Sequence, residues 1–400
     1  MKAKHNILVL TYWDYNDPLI QAYTLPYLKI IKQIAPVEIS IHLVTLEKNL
    51  KQKDKLIFDS ETLTDVIELP YIPFSFRALT GWINSIRSLK SYIKKNNINT
   101  IHTWCTPAGM IGYILNKITK TRFVADSFEP HAEAMVENGT WKKSSIAFRL
   151  LFYFEKKIVL NANQIITIAP GMDDYIKKKF ALDFRSKFIK PACVDLNRFN
   201  LNVKKKPELL SQLNLNDKIV CLYAGKFGGI YYSQEVFNFF KSAFSRYGNN
   251  VVFLILSNDD PKEINKNFID AGIEKANFII KSIPHQSMPE WMGLADFAIC
   301  PVKTVPTKKY CSPIKTGEYW AMGLPVIITN NISNDSEIID KSGLGYVWKD
   351  MSEDEYKNSL QKMEELLKMD KNTLSQSVRN LANEYRNFKI AETIYRKIYS

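Results

Sequence analysis

The stretch Tyr310-Cys311-Ser312-Pro313-Ile314-Lys315-Thr316-Gly317-Glu318-Tyr319-Trp320-Ala321-Met322-Gly323-Leu324-Pro325-Val326-Ile327 reads as loop, helix, glycine stop and buried strand. Ser312 is placed to cap the helix, and Pro313 suits the first helical position, where its missing N–H costs nothing. Gly323 ends the helix, and Pro325 leads into the apolar run Val326–Thr329. Just upstream, Phe297–Pro301 is another short apolar run. Strand, helix and strand in this order make a βαβ unit with parallel strands and a right-handed crossover. Lys315 and Glu318 are three residues apart, so both project from one face of the first turns. They can form an exposed ion pair on an ordinary helix. On a free helix N-terminus the same residues can grip a diphosphate with Lys315 and two ribose hydroxyls with Glu318.

Outward from this unit the scheme repeats. In the second half, Ile219–Ala224, Val251–Leu256, Phe278–Ile283 and Tyr346–Trp348 read as further strands, with helices at Ser233–Tyr247, Gln286–Leu294 and Lys315–Met322. In the first half, strands are expected at Ile7–Leu10, Glu38–Val44, Val66–Leu69, Thr100–Trp104, Phe123–Asp126 and Gln164–Ala169. Helical patterns at Pro18–Ile34, Phe76–Lys95 and Pro107–Ile118 separate them. The fold class is therefore α/β, with two doubly wound parallel halves meeting near Lys204-Lys205-Lys206-Pro207. After Asp350 the pattern is purely helical, and Thr373–Ser400 reads as one long amphipathic stretch. In open α/β sheets ligands bind beyond the carboxyl ends of strands, so chemistry is expected just after them.

One such strand end is Tyr223-Ala224-Gly225-Lys226-Phe227-Gly228-Gly229-Ile230-Tyr231-Tyr232. The glycines Gly225, Gly228 and Gly229 permit close approach of the backbone, and Lys226 favours an anion such as phosphate. The pattern is neither G-x-G-x-x-G nor a P-loop, and a tight turn with a solvent-facing lysine fits it as well.

Ser312-Pro-x-Lys-x-x-Glu318-Tyr-x-Ala-x-Gly323-x-Pro-Val resembles the donor-binding motif of the GT-B glycosyltransferases of group 1, the family 4 type. Ala295-Asp296-Phe297-Ala298-Ile299-Cys300-Pro301, Leu222-Tyr-Ala-Gly225-Lys226 and Lys190-Pro191-Ala-Cys193-Val-Asp195-x-x-x-Phe199 resemble further stretches of that family. The resemblance implies a GT-B architecture, two Rossmann-like domains facing a cleft. On it, 1–200 binds the acceptor, 201–375 binds the nucleotide sugar, and a C-terminal helix over 376–400 packs back on the first domain. It implies donor-binding roles for Gly225, Lys226, Gly228, Gly229, Tyr310, Ser312, Lys315 and Glu318. The sequence departs from the family at two places. Tyr310 stands where many members carry a glutamate that touches the donor sugar, and Tyr231 and Tyr232 occupy the region of a usual second lysine, whose charge Lys315 can supply.

In the first half the resemblance places Tyr12 and Asp14, after the first strand, and His102 and Glu129 on the acceptor side. Asp126 and His131, in Asp126-Ser127-Phe128-Glu129-Pro130-His131, are preferred for orienting or activating an acceptor hydroxyl. A satisfied structural histidine is the competing reading at a strand end. The expected reaction is glycosyl transfer from a nucleotide-diphosphate sugar to a glycan or lipid-linked glycan. Retention at the anomeric carbon is the family's habit. No D-x-D lies between apolar strands, so metal-independent transfer with no cofactor beyond the donor is expected. A nucleotide-sugar epimerase is disfavoured by the Ser312–Val326 block, whereas Tyr310 keeps a degenerate, non-catalytic binding protein open.

Composition bounds the rest. The 400 residues are 46% hydrophobic and 24% charged, which is near the globular average and excludes a mainly disordered chain. Five widely spaced cysteines without C-x-x-C suit a reducing compartment. No apolar run is long enough to span a bilayer and the start does not read as a signal peptide, so a soluble cytoplasmic protein is expected. Net charge is +13, and residues 141–206 hold 15 Lys+Arg against 5 Asp+Glu. No nucleic-acid-binding motif accompanies this charge, and no nucleic-acid partner is expected. The apolar helix after Trp141-Lys142-Lys143 has basic flanks and fits either a core helix with snorkelling lysines or an anionic membrane face.

Overall fold

A computed structural model describes residues 5–35, 38–48, 56–72 and 79–399. The chain divides into two compact units, Met1–Pro191 with Lys389–Ser400, and Ala192–Phe388.

The first unit is built on seven parallel strands: β1 (His5–Leu10), β2 (Ile39–Glu47), β3 (Asp65–Pro70), β4 (Thr100–Trp104), β5 (Arg122–Phe128), β6 (Gln164–Thr167) and β7 (Lys187–Ile189). Their order is β3-β2-β1-β4-β5-β6-β7. Strand order reverses between β1 and β4, where Leu8 pairs with Ile101. The central strands read as near-continuous apolar runs because helices cover both sheet faces, and Ile7 to Leu10 are all buried. Gly112 lets the helix Thr106–Thr119 lie close on the sheet, since a Cβ there would meet Thr103 and, at 2.9 Å, Phe123.

The second unit holds six parallel strands: β8 (Ile219–Ala224), β9 (Val251–Leu256), β10 (Phe278–Lys281), β11 (Phe297–Cys300), β12 (Val326–Thr329) and β13 (Gly345–Trp348). The order β10-β9-β8-β11-β12-β13 is that of a doubly wound nucleotide-binding sheet, reversing between β8 and β11. Its core is aromatic on one face, with Phe268 stacked on Phe278 at 4.4 Å and on Phe240 at 5.3 Å.

Three expectations are corrected. The sequence reading misses β7, a three-residue edge strand between polar neighbours. Thr373–Ser400 is not one helix: Lys371–Tyr385 and Phe388–Tyr399 are separate, broken where Val194 N donates to Arg386 O at 2.7 Å. Accordingly the first unit ends at Pro191, not 200, and residues up to Phe388 belong to the second unit, leaving Lys389–Ser400 as the returning segment. The expected helix start at 76–78 lies outside the described residues.

Candidate functional site

The carboxyl ends of β8 and β11 meet at the switch point of the second unit. After β8 the chain turns through Gly225, whose φ of +120° lies in the left-handed region and whose N–H donates to Leu256 O at 2.8 Å. A Cβ on Gly225 would sit 2.6 Å from Lys315 Nζ, so glycine leaves the space that the lysine tip fills. Gly228 and Gly229 follow with φ of +73° and +62°. Phe227 N donates to Asp259 Oδ2 at 2.6 Å, and Tyr223 Oη donates to Lys226 O at 2.5 Å, so the loop is pinned from both sides. Tyr232 N–H donates to Pro301 O and Lys303 N–H to Ile230 O, both at 2.9 Å, joining the loops that follow β8 and β11.

Lys315 lies in the first turn of the helix Ile314–Ala321, which has no side-chain cap. Its ammonium group is buried and has no hydrogen-bond partner. It rests 3.8 Å from the ring centre of Tyr231 and 5.0 Å from that of Tyr223. Burial pushes its pKa down to about 8, against the pull of Cys300 and Glu318. A buried cation that rests against aromatic rings and has no hydrogen-bond acceptor is under-compensated, and an arriving anion would complete it. Tyr231, noted in the sequence as a missing lysine, is thus the floor beneath this one.

Glu318, one turn on, is held by His285, whose Nε2 lies 3.2 Å from Glu318 Oε1. The Glu318 side chain is 10% exposed and that of His285 37%. Arg198 donates to His285 O, and Phe199 packs its ring 6.1 Å from the imidazole. His285 follows the carboxyl end of β10, the position the strand-end rule marks. Nothing local ties it to a glutamate 33 residues later, and sequence reasoning missed it.

Lys226 is exposed beside Gly229, whose Cβ position lies 3.7 Å from its Nζ. Tyr310 closes the short turn Pro306–Tyr310. Ser312 corrects an expectation. It does not cap the helix: its Oγ accepts from Ala192 N at 2.9 Å and from the buried Arg386, which also pairs with Asp335. Its hydroxyl is spent on tying the motif to the chain's entry into the unit.

A substitution tests the His285–Glu318 contact. If the pocket takes a nucleoside diphosphate, His285→Ala should weaken its binding about tenfold, the worth of one charge-assisted hydrogen bond, and leave inorganic pyrophosphate binding unchanged. Calorimetric titration with both ligands reads the difference.

In the first unit the candidates separate. Asp126 and His102 are fully buried together, with His102 Nε2 3.2 Å from Asp126 Oδ2. Tyr395 Oη donates to Asp126 Oδ2 at 2.7 Å, Lys190 Nζ lies 3.2 Å from Oδ1, and Tyr399 Oη is 2.5 Å from His102 Nδ1. The Lys190 ammonium sits among aromatic rings, 3.8 Å from the centre of Tyr27 and 5.0 Å from that of Trp104. Asp126 therefore does not present itself to an acceptor hydroxyl; its oxygens fasten the returning C-terminal helix to the sheet. The same holds for His102, expected on the acceptor side.

His131 and Glu129 are partly exposed, with His131 Nδ1 3.0 Å from Glu129 Oε1. His131 opens the helix His131–Glu137, and the next amide, Ala132 N, donates to the buried Glu155 at 2.9 Å. Burial drives the Glu155 carboxyl up to about 8 despite this bond, with Glu133 and Glu129 adding to the rise. Tyr12 packs edge-on against Tyr71 at 5.7 Å, and its hydroxyl pKa is raised chiefly by burial. Asp14 turns the chain after β1, its carbonyl accepting from Asp17 N at 3.0 Å.

Residues 230–397 match the family described as glucosyltransferase 3-like, C-terminal domain. No curated protein matches the chain in sequence. Among solved structures, sucrose-phosphate synthase from Thermosynechococcus elongatus is 15% identical, with a TM-score of 0.74 over 99% of this chain and 98% of that one. WaaG, a glycosyltransferase involved in lipopolysaccharide biosynthesis, is 14% identical, with a TM-score of 0.71 over 98% and 99%. Anabaena HepE in complex with UDP-glucose is 12% identical, with a TM-score of 0.70 over 98% of each chain. The class these define is the GT-B fold. Within that fold, the similarity to the glucosyltransferase 3-like C-terminal domain falls in the second unit and runs on to residue 397.

Proposed function

We propose that the chain moves a sugar from a nucleotide-diphosphate sugar to a glycan or lipid-linked glycan in surface polysaccharide synthesis, at the cytoplasmic side of a membrane. The observation that carries this reading is the buried, unpartnered ammonium of Lys315 at the β8/β11 switch point. HepE, similar in fold, has been solved with UDP and with UDP-glucose. In this reading the diphosphate lies against Lys315, Lys226 and the amides of Gly228 and Gly229, and Glu318 takes the ribose hydroxyls. As the glycosidic bond breaks, negative charge grows on the diphosphate and positive charge on the sugar ring. Lys315 and Lys226 stabilise the first, and being in place beforehand they need no reorganisation. His131, steadied through the helix that Glu155 holds and paired with Glu129, orients the acceptor hydroxyl.

Transfer proceeds with retention and without a metal, the charge neutralisation coming from the lysines. Turnover of UDP-sugars, monitored as UDP release with the anomeric configuration of the product read by NMR, should survive EDTA unchanged. Activity lost to EDTA and restored by manganese would overturn the metal-independent part. Failure to bind any nucleotide sugar in a thermal-shift screen would overturn the whole, since a bound donor must raise apparent stability.

A further inference from the structure

Among the described residues no helix is long and apolar enough to cross a membrane. One helix of the first unit is nonetheless apolar on two opposite sides. Ile146–Asn161 is capped by Ser145, which accepts from Phe148 N at 3.2 Å. Its inner side buries Phe148, Leu151, Glu155 and Ile158. At about 100° per residue, Ile146, Leu150 and Tyr153 fall within roughly 60° of arc on the other side. These three are 57%, 40% and 53% exposed. A helix with one face in the core normally offers water a polar opposite face, so this outer row calls for a second apolar medium.

Charge names the medium. Lys142 and Lys143 precede the helix, Arg149 and Lys156 flank the outer row on one side, and Lys157 continues the row itself one turn past Tyr153, with its ammonium 5.0 Å from the ring centre of Tyr153. The only acid between residues 141 and 161 is Glu155, which points inward. The row extends sideways: Tyr153 meets Phe154 at 5.5 Å, Phe154 meets Tyr113 of Thr106–Thr119 at 5.8 Å, and Lys117 lies over Tyr113. That neighbouring helix adds Lys117 and Lys120, with an exposed Ile118 and no acid between 106 and 120.

We infer that this outer face, Ile146, Leu150 and Tyr153 bordered by Lys142, Arg149 and Lys156 and continued by Lys157, docks on an anionic lipid surface. The apolar side chains enter the interface while the bases meet the headgroups. This goes beyond the donor reading and does not depend on it, because UDP binding by the second unit reports on that reading separately.

The test is flotation of the full chain with vesicles of phosphatidylcholine alone or with one-third phosphatidylglycerol, at low and high salt. Wild type should float with the anionic vesicles at low salt and stay down with the neutral ones. Arg149→Ala with Lys156→Ala should cost about fivefold in partitioning per base removed. Ile146→Ser, Leu150→Ser and Tyr153→Ser together should abolish flotation while UDP binding and circular dichroism stay unchanged. The inference falls if wild type ignores anionic vesicles, or if the triple serine variant floats like wild type, since net charge alone would then suffice. Loss of UDP binding by wild type would sink the donor reading and leave this one standing.

Discussion

Lys315→Met should weaken UDP binding by roughly 30- to 150-fold, the worth of about 2–3 kcal/mol for a buried hydrogen bond to a charged group. The thioether keeps the apolar stem in place, so the Tyr231 platform and the Gly225 turn survive. The unliganded variant should be more stable than wild type near neutral pH, because an uncompensated buried charge has been removed. The pH dependence carries the same signature. Lys315 in the folded, empty protein has a pKa of about 8, below its ordinary 10.5. Unfolding therefore takes up protons between those values, and this residue's contribution to stability rises as pH climbs from about 8 to 10.5. Lys204, also lowered to about 8 by burial, behaves alike, so the difference between wild type and Lys315→Met isolates the site. Diphosphate binding has the opposite slope. It needs the ammonium form, so affinity should hold below pH 8 and fall above it. In the methionine variant that fall should disappear. Calorimetry across the pH range reads both; an unchanged affinity in Lys315→Met would remove the central support of the proposed function.

The second large effect is on stability. Asp126→Asn leaves Lys190 buried without its negative partner, and breaking a pair so enclosed costs about 3–5 kcal/mol. Urea unfolding should show this as a lowered midpoint, with the C-terminal helix released first because Tyr395 exchanges a carboxylate acceptor for a neutral amide. Adding Lys190→Met should recover part of the loss, since the stranded charge goes with it. Burial alone would raise the Asp126 pKa, but Lys190, His102 and Tyr395 outweigh it and hold the carboxyl down at about 2, below its ordinary 3.8. Its contribution is therefore complete above 3.8 and is lost as pH falls toward 2. A variant as stable as wild type at neutral pH would show that the hydrogen-bonded ring geometry, not charge, fastens the helix.

The two parallel sheets were legible because the signals are local. Apolar runs of Ile and Val, spaced by helical periods, need no knowledge of distant residues, and β4, β8, β9 and β12 begin and end where their composition says. The helix that bears Lys315 and Glu318 was legible for the same reason, since those residues and Gly323 are set by spacing along one helix and its stop. The edge strand Lys187–Ile189 was not, because an edge pairs on one side only and its composition stays mixed. The helix break at Arg386 was also hidden, as its cause is Val194, far away in the chain.

Residue types and spacing alone determined the α/β class, the doubly wound halves and the helix that bears Lys315 and Glu318. Tertiary structure alone decided which charges are spent and which are held ready. It buried Asp126 and His102 as a fastening, engaged Ser312 with Arg386, brought His285 onto Glu318, and left the Lys315 ammonium dry above Tyr231. Burial and charge pairing are properties of contacts between distant segments, and a pattern read along the chain carries no record of them until the sheets close.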